Sequence, residues 1–271
     1  VNDFALDALL ETALREDFGR AGDLTSNAIV PAGRRGSAVI VARGEGTISG
    51  LVAAARTFRL LDPEMRIAFH AADGVTVSAG TRLATVEGAA RTILGGERTA
   101  LNVLGRLSGV ATMTRRFVDL VAGTRAVIVD TRKTTPGMRA LEKAAVRDGG
   151  GRNHRFGLDD AVLIKDNHVL VAGGVTAAIE SARAYVGHLV KIEVEVDSIE
   201  QLHEALAAGA DIVLLDNFTP ERLEEAVRIT GGRAVLEASG GVRAETVQAI
   251  ARSGVDLISI GALTHSSPAL D

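Results

Sequence analysis

The chain has 271 residues and formal charge −4, is 46% hydrophobic but only 3% aromatic, and contains no tryptophan and no cysteine. That composition supports a sizeable core of Ala, Val, Leu and Ile, and it excludes a disulfide framework or a thiolate metal site. Mild acidity and few stacking rings argue against nucleic acid as a partner, no apolar run reaches the roughly 18 residues of a membrane span, and VNDFALDALLETALRED does not read as a signal peptide, so a cytoplasmic protein is expected.

An amphipathic helix is predicted over about Phe4 to Glu16. Short alternating runs broken by glycine follow, SAVIVARGEGTISG, MRIAFHAADGVTVSAG and TRLATVEG, and read as antiparallel strands and hairpins. Apolar residues at three- and four-residue spacing then predict a helix from about Thr92 to Val121, weakened in its middle by Gly105 and Gly109. The character of the chain changes near residue 100, so residues 1–100 are read as an N-terminal domain and 101–271 as a C-terminal one.

The second part is rhythmic. Apolar, β-branched runs recur at AVIVD, AVLIK, IEVEV, DIVLLD, AVLEASG and DLISIG, and amphipathic helical segments separate the last four. Glu195, Asp216 and Glu237 stand 21 residues apart, and Ser259 follows 22 residues later. Strand–helix alternation with near-continuous apolar strands specifies a parallel sheet buried on both faces. No GxGxxG turn follows an early strand, which favours a β/α barrel over an open dinucleotide-binding sheet. Six strands fall short of eight, so the barrel is expected to be incomplete and open.

Almost every strand of this set closes on a polar residue: Asp130 followed by Arg132 and Lys133, then Lys165, Glu195, Asp216, Glu237 with Ser239, and Ser259. In α/β barrels the C-terminal strand ends converge on the active site. The segment from Asp130 to His168 also gathers Arg132, Lys133, Lys143, Arg147, Arg152, His154, Arg155 and Lys165, a concentration of cations suited to a small, highly charged anion. Lys143 and Arg147, one helical turn apart, read either as a solvated face or as a substrate-side pair.

Two glycine-bearing turns, Ser239-Gly240-Gly241 and Ile260-Gly261-Ala262, follow consecutive strands and are each expected to lead into a helix, an arrangement that holds phosphate on backbone N–H groups. The predicted pocket has a cationic half in Arg132, Lys133, His154, Arg155 and Lys165, and an anionic half in Glu195 and Asp216. Acidic groups beside a phosphate require something cationic between them: Mg²⁺, sugar hydroxyls, or a carbon that becomes positive. A phosphorylated ribose losing pyrophosphate offers all three.

The motifs DTRKTTPGMRALEKAAV, GGGRNHRFGLDDAVLIKDNH, IEVEVDS, DIVLLDN, LEASGGV and GVDLISIGALTHS, with EDFGRAGDLTS and ERTALNVL before them, resemble quinolinate phosphoribosyltransferases over nearly the whole chain. The resemblance implies an N-terminal α/β sandwich and a C-terminal incomplete α/β barrel. It implies transfer of a phosphoribosyl group from phosphoribosyl pyrophosphate to quinolinate with decarboxylation, giving nicotinate mononucleotide, pyrophosphate and CO₂ in NAD biosynthesis, with Mg²⁺ and no organic cofactor. A homodimer with a shared active site, or a higher oligomer, is implied as well.

Carried over residue by residue, the substrate-binding set is Arg98, Thr131, Arg132, Lys133, His154, Arg155 and Lys165, with Arg98 reaching across from the partner subunit. Lys133, Lys165, Glu195 and Asp216 fall on catalytic positions. Glu195 and Asp216 also fall near the metal, directly or through water, and Ser239, Gly240, Gly241, Ile260, Gly261 and Ala262 on the 5′-phosphate site. The chain stops at Ser267-Pro268-Ala269-Leu270-Asp271, a few residues short of the usual family end, so some terminal contacts with the N-terminal domain are expected to be missing or disordered.

Three competing readings remain. A molybdenum-operon paralogue of the same fold would act on another acceptor, but the intact Arg132-Lys133 pair and Asn153-His154-Arg155 favour a dicarboxylate. A Schiff-base aldolase would use Lys165 as a neutral amine. A biotinyl or lipoyl carrier is suggested by DGVTVSAGTRLATVEG, which however offers no lysine at a hairpin tip. His70, His188 and His203 lack metal-ligand spacing and read as surface or packing residues.

Overall fold

The structure, a computed structural model, describes residues 3–271, with side chains from residue 6 onward. The chain divides into two compact units, one of residues 1–115, 134–150 and 263–271, the other of residues 116–133 and 151–262.

The first unit opens with helices α1 (Asp3–Phe18) and α2 (Leu24–Ile29), the latter capped by the Asp23 carboxylate accepting from Ser26 N. Strands β1 (Arg35–Val41) and β2 (Gly46–Thr47), helix α3 (Leu51–Leu61), strands β3 (Arg66–Phe69), β4 (Thr76–Val77) and β5 (Arg82–Ala89) and helix α4 (Ala90–Leu120) follow. The sheet order is β1-β5-β3, antiparallel, with β2 paired to β4. The antiparallel expectation holds, but the pairs do not join consecutive strands. With α3 between β2 and β3, and β4 paired back to β2, the expected hairpins give way to longer-range pairing. Ile48, Phe58, Leu83, Val86, Ile93 and Leu104 lie in the core these elements enclose.

Helix α4 runs unbroken through Gly105 and Gly109. Glycine costs an exposed helix about 1 kcal/mol relative to alanine, but here the missing side chains admit another part of the chain. A Cβ on Gly109 would stand 1.9 Å from the Pro268 carbonyl oxygen, and Leu270 N donates to Gly105 O at 2.9 Å. Asp271 O accepts from Arg43 N and Gly44 N. Residues 268–271 thus make contacts with the N-terminal segment.

Arg106 joins the three segments of this unit. Its Nη2 lies 2.8 Å from Glu142 Oε1, its Nη1 donates to Ser267 O and Oγ, and Nη2 also reaches Thr264 O. Glu142 belongs to α5 (Arg139–Asp148) and is fully buried, and Thr135 N and Oγ1 also donate to it. Lys143 beside it is 1% exposed, so the solvated-face reading fails for Lys143, while Arg147 is exposed.

In the second unit β6 (Val127–Val129), β7 (Val162–Ile164), β8 (Ile192–Val196), β9 (Ile212–Asp216), β10 (Val235–Ser239) and β11 (Leu257–Ser259) form one parallel sheet. Its order is β6-β11-β10-β9-β8-β7. Neighbours in sequence are neighbours in the sheet from β7 to β11, and β6 closes onto β11. Only the β6–β7 edge lacks a ladder, which leaves the barrel open there as expected. Helices α6 (Asp166–Ala172), α7 (Val175–Tyr185), α8 (Ile199–Ala207), α9 (Pro220–Thr230) and α10 (Val247–Arg252) occur among these strands. Ser198 and Thr219 cap α8 and α9, with Pro220 at the first helical position of α9. The four residues of α11 (Ala262–His265) follow β11. No helix among the described residues is long and apolar enough to cross a membrane.

Candidate active site

Register sets the level of the polar side chains in the barrel. Glu195 and Glu237 both pair with Leu214, one from each side, and Asp216 pairs with Ser239 one pleat further along. Side chains two residues apart on a strand share a face, so Glu193 and Glu195 both project the same way from β8.

At the open edge, residues 152–154 run beside the end of β6. Val129 and Arg152 form a parallel bridge, in which Arg152 N donates to Ile128 O and Asp130 N to Arg152 O. Asp130, fully buried, accepts from Asn153 Nδ2 at 2.6 Å and from His154 N at 2.9 Å. One carboxylate thereby fixes the sequence Asn153-His154-Arg155 against the strand that carries Thr131, Arg132 and Lys133. Thr131 Oγ1 accepts from Lys133 N at 3.0 Å and tightens that turn.

Arg155 is half-buried. Its Nη1 donates to Ala161 O at 3.0 Å, while its buried Nε meets no hydrogen-bond acceptor among the described residues. Burial, then the like charge of Arg132, pulls its pKa below the usual arginine range. Two guanidinium groups that repel each other in a partly dry pocket favour an anion between them.

Lys165 caps the N-terminus of α6, and its Nζ stands 3.8 Å from Glu195 Oε2. Burial raises the Glu195 carboxyl above its ordinary value of 4.5, Lys165 opposes the rise, and the charge of Asp216 adds to it. Asp216 Oδ2 accepts from Asn217 Nδ2 at 2.7 Å. Asn217 is the one non-glycine residue with positive φ among those described, and its N donates to Ser239 O. Gly240, at φ 91°, lies against it, and a Cβ there would be 2.2 Å from Asn217 Oδ1.

Of the two glycine turns, the first differs from expectation. After Gly241 the chain makes a further turn before α10 begins at Val247, so that turn does not open directly into a helix. The second turn leads straight into α11 at Ala262, as expected; Ile260 N donates to Val129 O at 3.0 Å and its side chain is buried, while Gly261 and Ala262 are half-buried. Arg98 lies in the other compact unit, exposed on α4, where it lines a cavity of 720 Å³ with Arg43, Glu97, Asn102 and Asp271.

Beneath the cations is a cluster that sequence reasoning missed. His154 Nε2 is 2.9 Å from Glu193 Oε2 and 3.7 Å from Glu237 Oε1. His154 Nδ1 accepts from Arg155 N at 2.7 Å. The carboxyl of Glu237 is pushed up to about 7 by burial and then by the charge of Glu193, against the pull of His154 and the Ser259 hydroxyl. Glu237 was legible as a strand-end residue. Glu193 had one available signal, its two-residue offset from Glu195 within IEVEV.

The family model described as quinolinate phosphoribosyl transferase, C-terminal domain, matches residues 110–271, and that for the N-terminal domain matches residues 23–108. The chain is 45% identical over 272 residues to a probable nicotinate-nucleotide pyrophosphorylase (carboxylating) of Bacillus subtilis, covering 100% of this chain and 93% of that protein. It is 44% identical to the nicotinate-nucleotide pyrophosphorylase (carboxylating) of Mycobacterium leprae, with 100% and 98% covered. Among solved structures, NadC from Streptococcus pyogenes superposes with a TM-score of 0.96 at 40% identity, covering 100% of this chain and 95% of that one.

Proposed function

Because the chain belongs to the quinolinate phosphoribosyltransferase family, we propose that it transfers the phosphoribosyl group of phosphoribosyl pyrophosphate to quinolinate and releases pyrophosphate and CO₂. The product is nicotinate mononucleotide, a step of NAD biosynthesis, carried out in the cytoplasm. The observation that carries the reading is the pairing of unlike charges at the strand ends. Arg132 and Arg155 repel one another on one side, while Lys165 meets Glu195 on the other, one strand from Asp216.

In this reading the two adjacent carboxylates of quinolinate lie against Arg132, Arg155, Lys133 and Lys165, with Thr131 and His154 beside them. The ring nitrogen then faces the ribose anomeric carbon. Holding two reactants in line removes on the order of 7–11 kcal/mol of barrier in well-oriented model reactions. The N–C1′ bond forms as the C1′–O bond to pyrophosphate breaks, and the positive charge growing on the ribose is met by Glu195 and Asp216. Alkylation makes the ring cationic, so the pair of electrons from the breaking C–CO₂ bond is held by the ring without an organic cofactor. A proton, from Lys133, Lys165 or water, then replaces the carboxylate.

Glu195 and Asp216 are hard oxygen donors on adjacent strands, the few-carboxylate set that Mg²⁺ uses when substrate phosphates complete its shell. When bound there the ion would neutralise the leaving pyrophosphate. The 5′-phosphate is assigned to Ser239, Gly240, Gly241, Gly261 and Ala262, with Ile260 supporting the turn from the core. A homodimer in which Arg98 serves the partner's site completes the proposal, and the exposure of that guanidinium on α4 is consistent with it.

The experiment is to mix the pure protein with quinolinate, phosphoribosyl pyrophosphate and Mg²⁺ and to measure nicotinate mononucleotide. Turnover with another acceptor and none with quinolinate would reject the substrate while leaving the fold intact.

A further inference from the structure

The steps above make no use of the two carboxylates beneath His154. Glu193 and Glu237 come from β8 and β10, are 4% and 1% exposed, and each holds its Oε1 buried without a hydrogen-bond donor among the described residues. One oxygen from each and a ring nitrogen of His154 all lie within 4.8 Å of one another. Two carboxylates so close and so dry are not both ionised without compensation, which must be a proton or a cation.

The imidazole decides between these. Nδ1 accepts the Arg155 N–H at 2.7 Å, so its lone pair is occupied and the ring proton sits on Nε2. A protonated Nε2 has no lone pair to offer a metal, and at 2.9 Å it is placed to donate to Glu193 Oε2.

We infer that Glu193 and Glu237 are positioning residues that lock His154 as its neutral Nε2–H tautomer, making the imidazole a strut beneath the acceptor pocket and not one of its cations. The inference rests on the proposed function for its kinetic part only. The groups facing Glu237 are Glu193 from β8, His154 from the segment before β7, Ser259 from β11 and Asp130 from the end of β6. With its carboxyl raised to about 7, Glu237 is protonated below neutrality and, with one oxygen within 4.8 Å of one of Glu193's, is placed to offer it a proton while Glu193 Oε2 faces His154. What the strut holds is Arg155, whose backbone N–H is tied to Nδ1 and whose guanidinium is tied to Ala161 O.

When Glu237 ionises, its proton leaves to solvent and Glu193 loses that donor. Two buried carboxylates then repel one another, and the imidazole that Glu193 holds, with the Arg155 N–H on its Nδ1, is no longer fixed in place. The pocket for the dicarboxylate should therefore loosen as pH rises through about 7. The test uses the full chain labelled with ¹⁵N-histidine. At pH 6 without substrate, His154 should show a protonated Nε2 and an unprotonated Nδ1. Raising the pH should move its resonances in a step that Glu237→Gln abolishes, because the amide still donates to Glu193 but cannot ionise. In parallel, KM for quinolinate should rise at least fivefold between pH 6.5 and 8.5 in the wild type and stay flat in the variant, with kcat changing less. An imidazolium or Nδ1–H tautomer at pH 6, an unchanged step in Glu237→Gln, or paramagnetic broadening of His154 by stoichiometric Mn²⁺ would each overturn the proposal. The wild-type tautomer decides the matter if the variant does not fold. It needs no turnover, so its failure is separable from failure of the substrate assignment.

Discussion

The ammonium of Lys165 stands 3.8 Å from Glu195 Oε2, so one strand end lowers the proton affinity of its neighbour's carboxyl while burial raises it. Glu195 is held above 4.5, and activity that needs its charge is fully present above the raised value and falls as pH falls through it. Lys165→Ala removes the opposing charge and should shift the acid limb of the kcat profile toward neutral pH. Removing one such electrostatic stabiliser typically costs about 10²–10³ in kcat, and a pH–rate profile of both proteins reads both effects.

Glu237→Gln should also change stability. The folded carboxyl titrates at about 7 and the ordinary one at 4.5, so the wild type loses stability as pH rises between these values and carries the full penalty above pH 7. The rise corresponds to at most about 3 kcal/mol. The variant should therefore exceed the wild type in chemical denaturation at pH 8, with the gap closing as pH approaches 4.5.

Asp130→Ala removes the acceptor for Asn153 Nδ2 and His154 N together. Hydrogen bonds to a charged group contribute about 1.5–3 kcal/mol each. The variant should lose stability of that order and raise KM for quinolinate by more than tenfold, because Arg155 is no longer held. Equilibrium unfolding and initial rates measured side by side would show both changes.

Gly109→Ala gives opposite signs for two effects. Helix propensity favours alanine by about 1 kcal/mol, whereas the new Cβ would meet the Pro268 carbonyl at 1.9 Å. The tail contact should win and Tm should fall. A rise in Tm would show that residues 268–271 contribute little.

Arg98→Ala mixed with Lys133→Ala tests the shared site. If each subunit lends Arg98 to its partner, hybrid dimers regain one intact site, and activity should reappear on mixing after subunit exchange. Exchange without recovery would remove Arg98 from the partner's pocket.

Six strands were legible because buried parallel strands read as uninterrupted β-branched runs, and AVIVD through DLISIG each supplied one. The gap between β6 and β7 was not, since strand order depends on pairings that no single segment encodes. Glycine at 105 and 109 argued locally against a helix, and the reason for its presence lay about 160 residues away in Pro268 and Leu270. Cations at Arg132 and Arg155 were visible as composition. Of the glutamates that brace His154, Glu237 was visible as a strand-end residue but Glu193 was not, because an acid within an apolar strand is indistinguishable from alternation until register shows which face is buried.

Arg106 has a consequence for biosynthesis. Its guanidinium joins α4 to Glu142 and to the backbone at Thr264 and Ser267, so the first compact unit is assembled from three stretches separated by most of the barrel. A nascent chain that has displayed only its first 115 residues still lacks Glu142 and the segment seated at Gly109. That fragment is expected to remain open to proteases on the ribosome until translation passes Leu270, which makes this an enzyme whose earliest-made part matures last.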